Sequence, residues 1–272
     1  MQNAKRVVLI TGASSGIGQA CAVYLHRRGY RVYGTSRQAQ TIQPDSFEMI
    51  QMDVDSDASV ERGIDFIVRQ EGRLDVVVNN AGFGIAGAIE DTSIDEAESQ
   101  FETNFFGVLR VCRTALSLMR KQRSGYIVNI SSLAGLVGIP FQGLYSASKF
   151  ALEGLTEALR VEVRPFGIRA VLIEPGDFPT QFGVHRRKTR QSLENPAYRQ
   201  RLDNALGVME ADEMNGPSPE SVARLLEHII ETPAPRLRYT VGPTLERIEA
   251  ALKGWVPAWL FEWGLAKYYK LS

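Results

Sequence analysis

The 272-residue chain is poor in the residues that build metal centres and covalent cross-links. Its two cysteines, Cys21 and Cys112, lie far apart and neither has a CxxC neighbour. Both fall in helix-like segments and read as buried small apolar side chains in a reducing compartment. The three histidines, His26, His185 and His228, are scattered without HExxH or other ligand spacing, which argues against a protein metal site. Net charge is missing too. The 31 basic residues balance 31 acidic ones, so no bulk field draws the chain to nucleic acid or to an acidic membrane. No charge occurs between Arg123 and Lys149, but Asn129, Pro140 and Gln142 interrupt that stretch, so it does not read as a bilayer helix. Residues 1–10 lack the apolar core of a signal peptide, and the cytoplasm is the expected location.

What is present belongs to a folded domain: 44% hydrophobic and 23% charged residues, with enough length for one large core. Strand-like runs at 6–11, 31–37, 47–54, 74–82, 125–132, 168–176 and 238–242 alternate with longer helical patterns. The apolar runs show little period-two alternation, as expected where helices cover both faces. Repeated βα alternation predicts an α/β fold, a doubly wound parallel sheet in one domain spanning 1–272. Two regions break the pattern. Residues 177–235 are polar and mixed, with the basic run HRRKTR and the segment GPSPE, and read as a variable insertion over a substrate site. Residues 243–272 form an unusually aromatic tail that could cover the pocket, meet a partner subunit or rest on a membrane surface; packing on the protein or on a partner subunit is expected first.

The segment TGASSGIG (11–18) follows the first strand and opens the first helix. Gly12, Gly16 and Gly18 would give a tight turn, close approach to a phosphate and tight helix packing, with the helix N-terminus facing a pyrophosphate. No Lys-Ser or Lys-Thr follows, which excludes a Walker-type nucleotide site. Further on, YSASK (145–149) holds two overlapping signatures. Tyr145 and Lys149 stand at i and i+4 on one helix face, a phenol beside an ammonium. Ser146 and Lys149 match the Ser-x-x-Lys of some acyl-transferring hydrolases, but Ser146 lies about 100° around the helix from Tyr145, and the companion S-D-N and K-T-G motifs are missing. The phenol is therefore the expected reactive group, with the ammonium lowering its pKa.

Six segments in order carry a resemblance: TGASSGIG, NNAG (79–82), NFFG (104–107), the ISS that ends at Ser132, YSASK and PGDFPT (175–180). Through them the chain resembles the classical short-chain dehydrogenase/reductase family over residues 6–180, and more loosely its 17β-hydroxysteroid-dehydrogenase-like branch. The resemblance implies a Rossmann-type sheet, a homo-oligomer, and a catalytic set of Asn104, Ser132, Tyr145 and Lys149. Asn104 would hold a water linking Lys149 to solvent, and Lys149 would bind the nicotinamide ribose. It implies cofactor contacts from Thr11, Gly12, Ser14, Ser15, Gly16, Ile17, Gly18, Ser36, Arg37, Asp53, Val54, Asn80, Ala81, Gly82, Tyr145, Lys149, Pro175, Gly176 and Thr180, with Asp53 meeting the adenine.

The second strand ends in Ser36 and Arg37 where NAD-dependent folds place an acid, so NADP is expected over NAD. Phe83, Leu133, Phe141, Phe178 and Phe182, with Leu136, are the expected walls for an apolar carbonyl or alcohol. The basic run 186–190 reads first as a solvated face. Two other readings stay open at this level: an epimerase or dehydratase using the same Tyr/Lys pair, and a non-catalytic dinucleotide sensor.

Overall fold

A computed structural model describes residues 6–38 and 46–271. The elements follow in the order β1 Val7–Ile10, α1 Gly16–Arg27, β2 Arg31–Ser36, β3 Glu48–Gln51, α2 Asp57–Glu71, β4 Val76–Asn79, β5 Ile85–Ala86, α3 Ile94–Phe101, α4 Gly107–Gln122, β6 Gly125–Ile130, α5 Gly143–Val163, β7 Ile168–Pro175, β8 Arg187–Lys188, α6 Arg190–Glu194, α7 Arg199–Asn215, α8 Glu220–Glu231, β9 Arg238–Val241, α9 Thr244–Leu252 and α10 Ala258–Tyr268. Seven strands pair in parallel in the order β3-β2-β1-β4-β6-β7-β9. The order reverses between β1 and β4, which opens a crevice at the carboxyl ends of those strands.

Each strand feeds two cores because neighbouring side chains point to opposite faces. Val8 and Ile10 pack with Cys21 and Leu25 of α1 and with Val222, Leu226 and Ile230 of α8. Val7 and Leu9 pack with Ile64 of α2, Cys112 of α4 and Leu152 of α5. Burial pushes both cysteine thiols up to about 12, so each behaves as a small apolar side chain.

The segment 177–235 is not one variable insertion. Its second half is α8, whose Val222, Ala223, Leu226, Ile229 and Ile230 are buried against the sheet as one of its flanking helices. Its first half, with α6 and α7, closes over the crevice around a satellite cluster of Leu202, Ala205, Leu206, Met209 and Tyr269.

Candidate active site

The turn after β1 is shaped by glycine. Gly12 (φ 65°) and Gly16 (φ 58°) are left-handed, and a Cβ on Gly12 would come within 2.8 Å of Ala81 Cα. The turn is thereby pressed onto the loop after β4. Thr11 Oγ1 accepts the N–H groups of Asn80 and Ala81, each at 3.0 Å. Asn80 Nδ2 donates to the Thr11 carbonyl at 2.9 Å and the Gly12 carbonyl at 3.0 Å. Thr11 and Gly18 are buried parts of this frame, whereas Gly12, Ser14, Ser15, Gly16 and Ile17 face a cleft of about 1020 Å³. The Ser15 side chain does not cap α1, so the helix N-terminus offers its N–H groups to an anion.

The cleft runs past Ser36, Arg37, Met52 and Val54, then Asn80, Ala81 and Gly82, to Pro175, Gly176 and Thr180. Asp53 is not among its walls; its carboxylate accepts the Asp55 N–H at 3.1 Å. A bare glycine turn against a free helix end suits a dinucleotide pyrophosphate, and the named wall residues would hold the rest of such a cofactor.

Tyr145 and Lys149, one turn apart on α5, meet Ser132 at the end of β6 in the middle of the cleft. Ser132, beside the Tyr145 phenol, accepts the Ala134 N–H at 3.0 Å. Burial pushes the phenol up to about 12, against the lowering effects of Ser132 and Arg186. The expected lowering by Lys149 is not what governs this phenol. Lys149 Nζ instead donates to the Ile130 carbonyl at 2.8 Å, 5.7 Å from the Tyr145 ring centre, and burial pulls its own pKa down to about 8.

Asn104 is fully buried in a single π-turn, 102–106, a local widening of the helix that recurs at functional sites. Its amide donates to the Phe83 carbonyl at 3.0 Å and to Ser148 Oγ at 3.2 Å, and its Oδ1 accepts the Phe83 N–H at 3.1 Å. It therefore ties the post-β4 loop to α5. Ser146, the rival nucleophile, is buried outside the cleft and accepts the Ile139 N–H at 3.1 Å.

On the substrate side, Phe83, Leu133, Phe178 and Phe182 line the cleft, with the Phe182 ring 5.4 Å from that of Tyr145. Phe141 and Leu136 do not. Phe141 has a left-handed backbone (φ 58°) and packs on Tyr198, ring centres 6.3 Å apart, against the satellite cluster instead.

Several wall residues were not anticipated. Arg186, expected in a solvated basic run, is buried, ion-paired to Glu213, and keeps Nε and Nη1 without partners among the described residues. Glu213 pairs with it, Asp177 lies within range of its charge, and Glu246 accepts the Asp177 N–H at 3.0 Å. Burial, then Glu246, Glu213 and Asp212, push Asp177 up to about 8. Glu213 and Glu246 are also raised, chiefly by burial. Leu260, Phe261, Leu265 and Tyr268 of α10, with Tyr269, complete the wall.

The short chain dehydrogenase family pattern spans residues 6–191. This chain belongs to that family. It is 41% identical to a 3-ketodihydrosphingosine reductase of Bacteroides thetaiotaomicron over 98% of each chain. A short-chain dehydrogenase from Streptomyces avermitilis superposes with a TM-score of 0.77 at 34% identity, covering 93% of this chain and 97% of that one. A Burkholderia phymatum member in complex with NAD gives 0.73 at 27% identity, over 88% and 90%. As a short-chain dehydrogenase/reductase the protein is an oxidoreductase acting on CH–OH and C=O groups with a nicotinamide dinucleotide.

Proposed function

We propose that the protein reduces the ketone of a long-chain amino ketone of the 3-ketodihydrosphingosine kind, using NADPH, with Tyr145 as general acid. The observation that carries this reading is the meeting, in one cleft, of Ser132, Tyr145 and Lys149, a buried carboxyl group and an apolar cap. Arg186, Asp177 and Glu213 lie close enough to Tyr145 for their charges to act on its phenol. A ketone oxygen seated between Ser132 and Tyr145 would place an adjacent ammonium near those carboxylates and an alkyl chain toward Phe182, Leu260, Phe261 and Leu265.

When bound, the nicotinamide supplies the hydride. Ser132 orients and polarises the carbonyl oxygen, and Tyr145 gives that oxygen its proton. A phenol with a pKa near 12 is fully protonated at neutral pH, which suits a proton donor in the reductive direction. Lys149, held by the Ile130 carbonyl, keeps a positive charge behind the phenol below about pH 8. Asn104 fixes the spacing between the post-β4 loop and the Tyr/Lys helix.

NADP is favoured over NAD by Ser36 and Arg37 at the cofactor end of the cleft, where among the described residues no acid of the wall repels a 2′-phosphate. The relatives' names favour redox chemistry over the epimerase and sensor readings.

The test is NADPH consumption with 3-ketodihydrosphingosine and with the same chain lacking the amine. The reading requires kcat/KM at least ~10-fold higher for the amino ketone, the worth of one charge-assisted contact. Equal rates on the two would refute the substrate assignment, and faster turnover with NADH would refute the cofactor assignment.

A further inference from the structure

The chain has three tryptophans, and all lie in the last two helices' connection and α10. Trp255, Trp259 and Trp263 are 88%, 70% and 57% exposed. They recur every four residues, so Trp259 and Trp263 share one stripe of α10. Leu245 and Ile248 of α9 are exposed as well, whereas Leu252 lines the cleft. The tail therefore packs on the protein by one face only: Phe261, Leu265 and Tyr268 line the cleft while the indoles face outward. Soluble monomers rarely expose a contiguous patch of this kind without a partner for it.

We infer that this face is a docking surface for an anionic lipid bilayer, on which the protein sits peripherally with the cleft mouth against the membrane. Tryptophan combines a large apolar ring with one N–H donor, the combination that favours the headgroup level of a bilayer. The charges from 253 to 270 are Lys253, Lys267 and Lys270 against Glu262 alone. Lys267 lies 5.2 Å from the Trp263 ring centre, and Lys253 lies 4.9 Å from that of Phe150, itself 42% exposed. This surplus complements anionic headgroups. A second copy of the chain is a poorer occupant, because a two-fold contact would bring the same lysine-bearing patch against itself. Among the described residues no helix is long and apolar enough to cross a membrane, so the contact lies on the surface. A cap whose outer face touches lipid and whose inner face lines the cleft would give a long-chain substrate a route that avoids water; this last point alone rests on the proposed substrate.

The tryptophan content makes the test specific, since indole emission reports only the tail. The full-length protein is mixed with vesicles of phosphatidylcholine, or of phosphatidylcholine with phosphatidylglycerol, and followed by emission and by co-sedimentation. The expected result is a blue shift and sedimentation with the anionic vesicles that weaken with salt. The Trp259→Ser/Trp263→Ser variant should partition roughly ten-fold more weakly or worse. Lys253→Gln/Lys267→Gln/Lys270→Gln should lose the preference for anionic lipid. NADPH binding to both variants should match wild type, which shows that the fold and cofactor site are intact and separates this surface from the proposed reaction. No emission shift and no sedimentation with either vesicle would overturn the inference. So would a blue shift that appears without lipid and tracks a rise in solution mass, which would assign the face to a second copy.

Discussion

The two ends of the cleft are built on opposite terms. At the cofactor end the loops that frame the free helix N-terminus are tied in place. Thr11, Asn80 and Asn104 each make two or more hydrogen bonds to loop backbone, and a Cβ would not fit at Gly12 or Gly18. At the substrate end the groups are under-satisfied. Arg186 keeps two buried nitrogens without hydrogen-bond partners among the described residues, and Asp177 and Glu213 hold protons more tightly than free carboxyls because burial and like charge disfavour their ions. Chemistry shared by many substrates needs fixed geometry, whereas carboxyls that burial keeps protonated can ionise when a cationic ligand arrives beside them.

The comparison breaks most visibly at Tyr145. Tyr145→Phe should lower kcat by ~10²–10⁴-fold with cofactor affinity intact, because it removes only the proton donor. Turnover within a few-fold of wild type would contradict the assignment. At the far cofactor end, Arg37→Ala should weaken NADPH by about 10–100-fold, the loss of one hydrogen bond to a charged group, and leave NADH almost unchanged. Titration of both cofactors checks it, and equal losses would remove Arg37 from phosphate binding.

The pH profile sharpens the contrast next. Reductive kcat/KM should fall above about pH 8 as Lys149 loses its charge, since its folded pKa is depressed to that value. A profile flat to pH 10 would show that the charge is not needed. Asp177 works in the opposite sense. Its folded pKa is raised, so its contribution to stability is full below the usual carboxylate pKa near ~3.9 and is lost as pH rises through about 8. Asp177→Asn should therefore raise Tm more at pH 8 than at pH 5, and parallel melting curves would deny the buried, protonated state. Ser146→Ala should change turnover least, less than about two-fold, because that hydroxyl only accepts the Ile139 N–H.

The cofactor end was legible in the sequence because its signals are local. A glycine turn, an i,i+4 Tyr/Lys pair and strand-end polar residues each sit within a few positions, and the structure gathers them in one cleft. The flanking helix α8 was missed because GPSPE suggested a loop, although Glu220, Arg224 and Glu227 at i, i+4 and i+7 mark the outer face of an amphipathic helix. The carboxylates escaped notice for a different reason. Asp177 follows β7, Glu213 ends α7 and Glu246 opens α9, so only the tertiary fold unites them. Arg186 sits in HRRKTR, where composition alone gives no means of telling the one buried guanidinium from its solvated neighbours.

The central claim is that the cofactor end performs the reaction while the carboxylates select the substrate. It is tested most directly by kcat/KM with NADPH for a long-chain 2-amino ketone and its deaminated analogue, in wild type and in Asp177→Asn/Glu213→Gln. The account predicts that the double variant loses the preference for the amine while keeping wild-type-like turnover of the deaminated ketone. An unchanged preference, or equal collapse on both substrates, would contradict it.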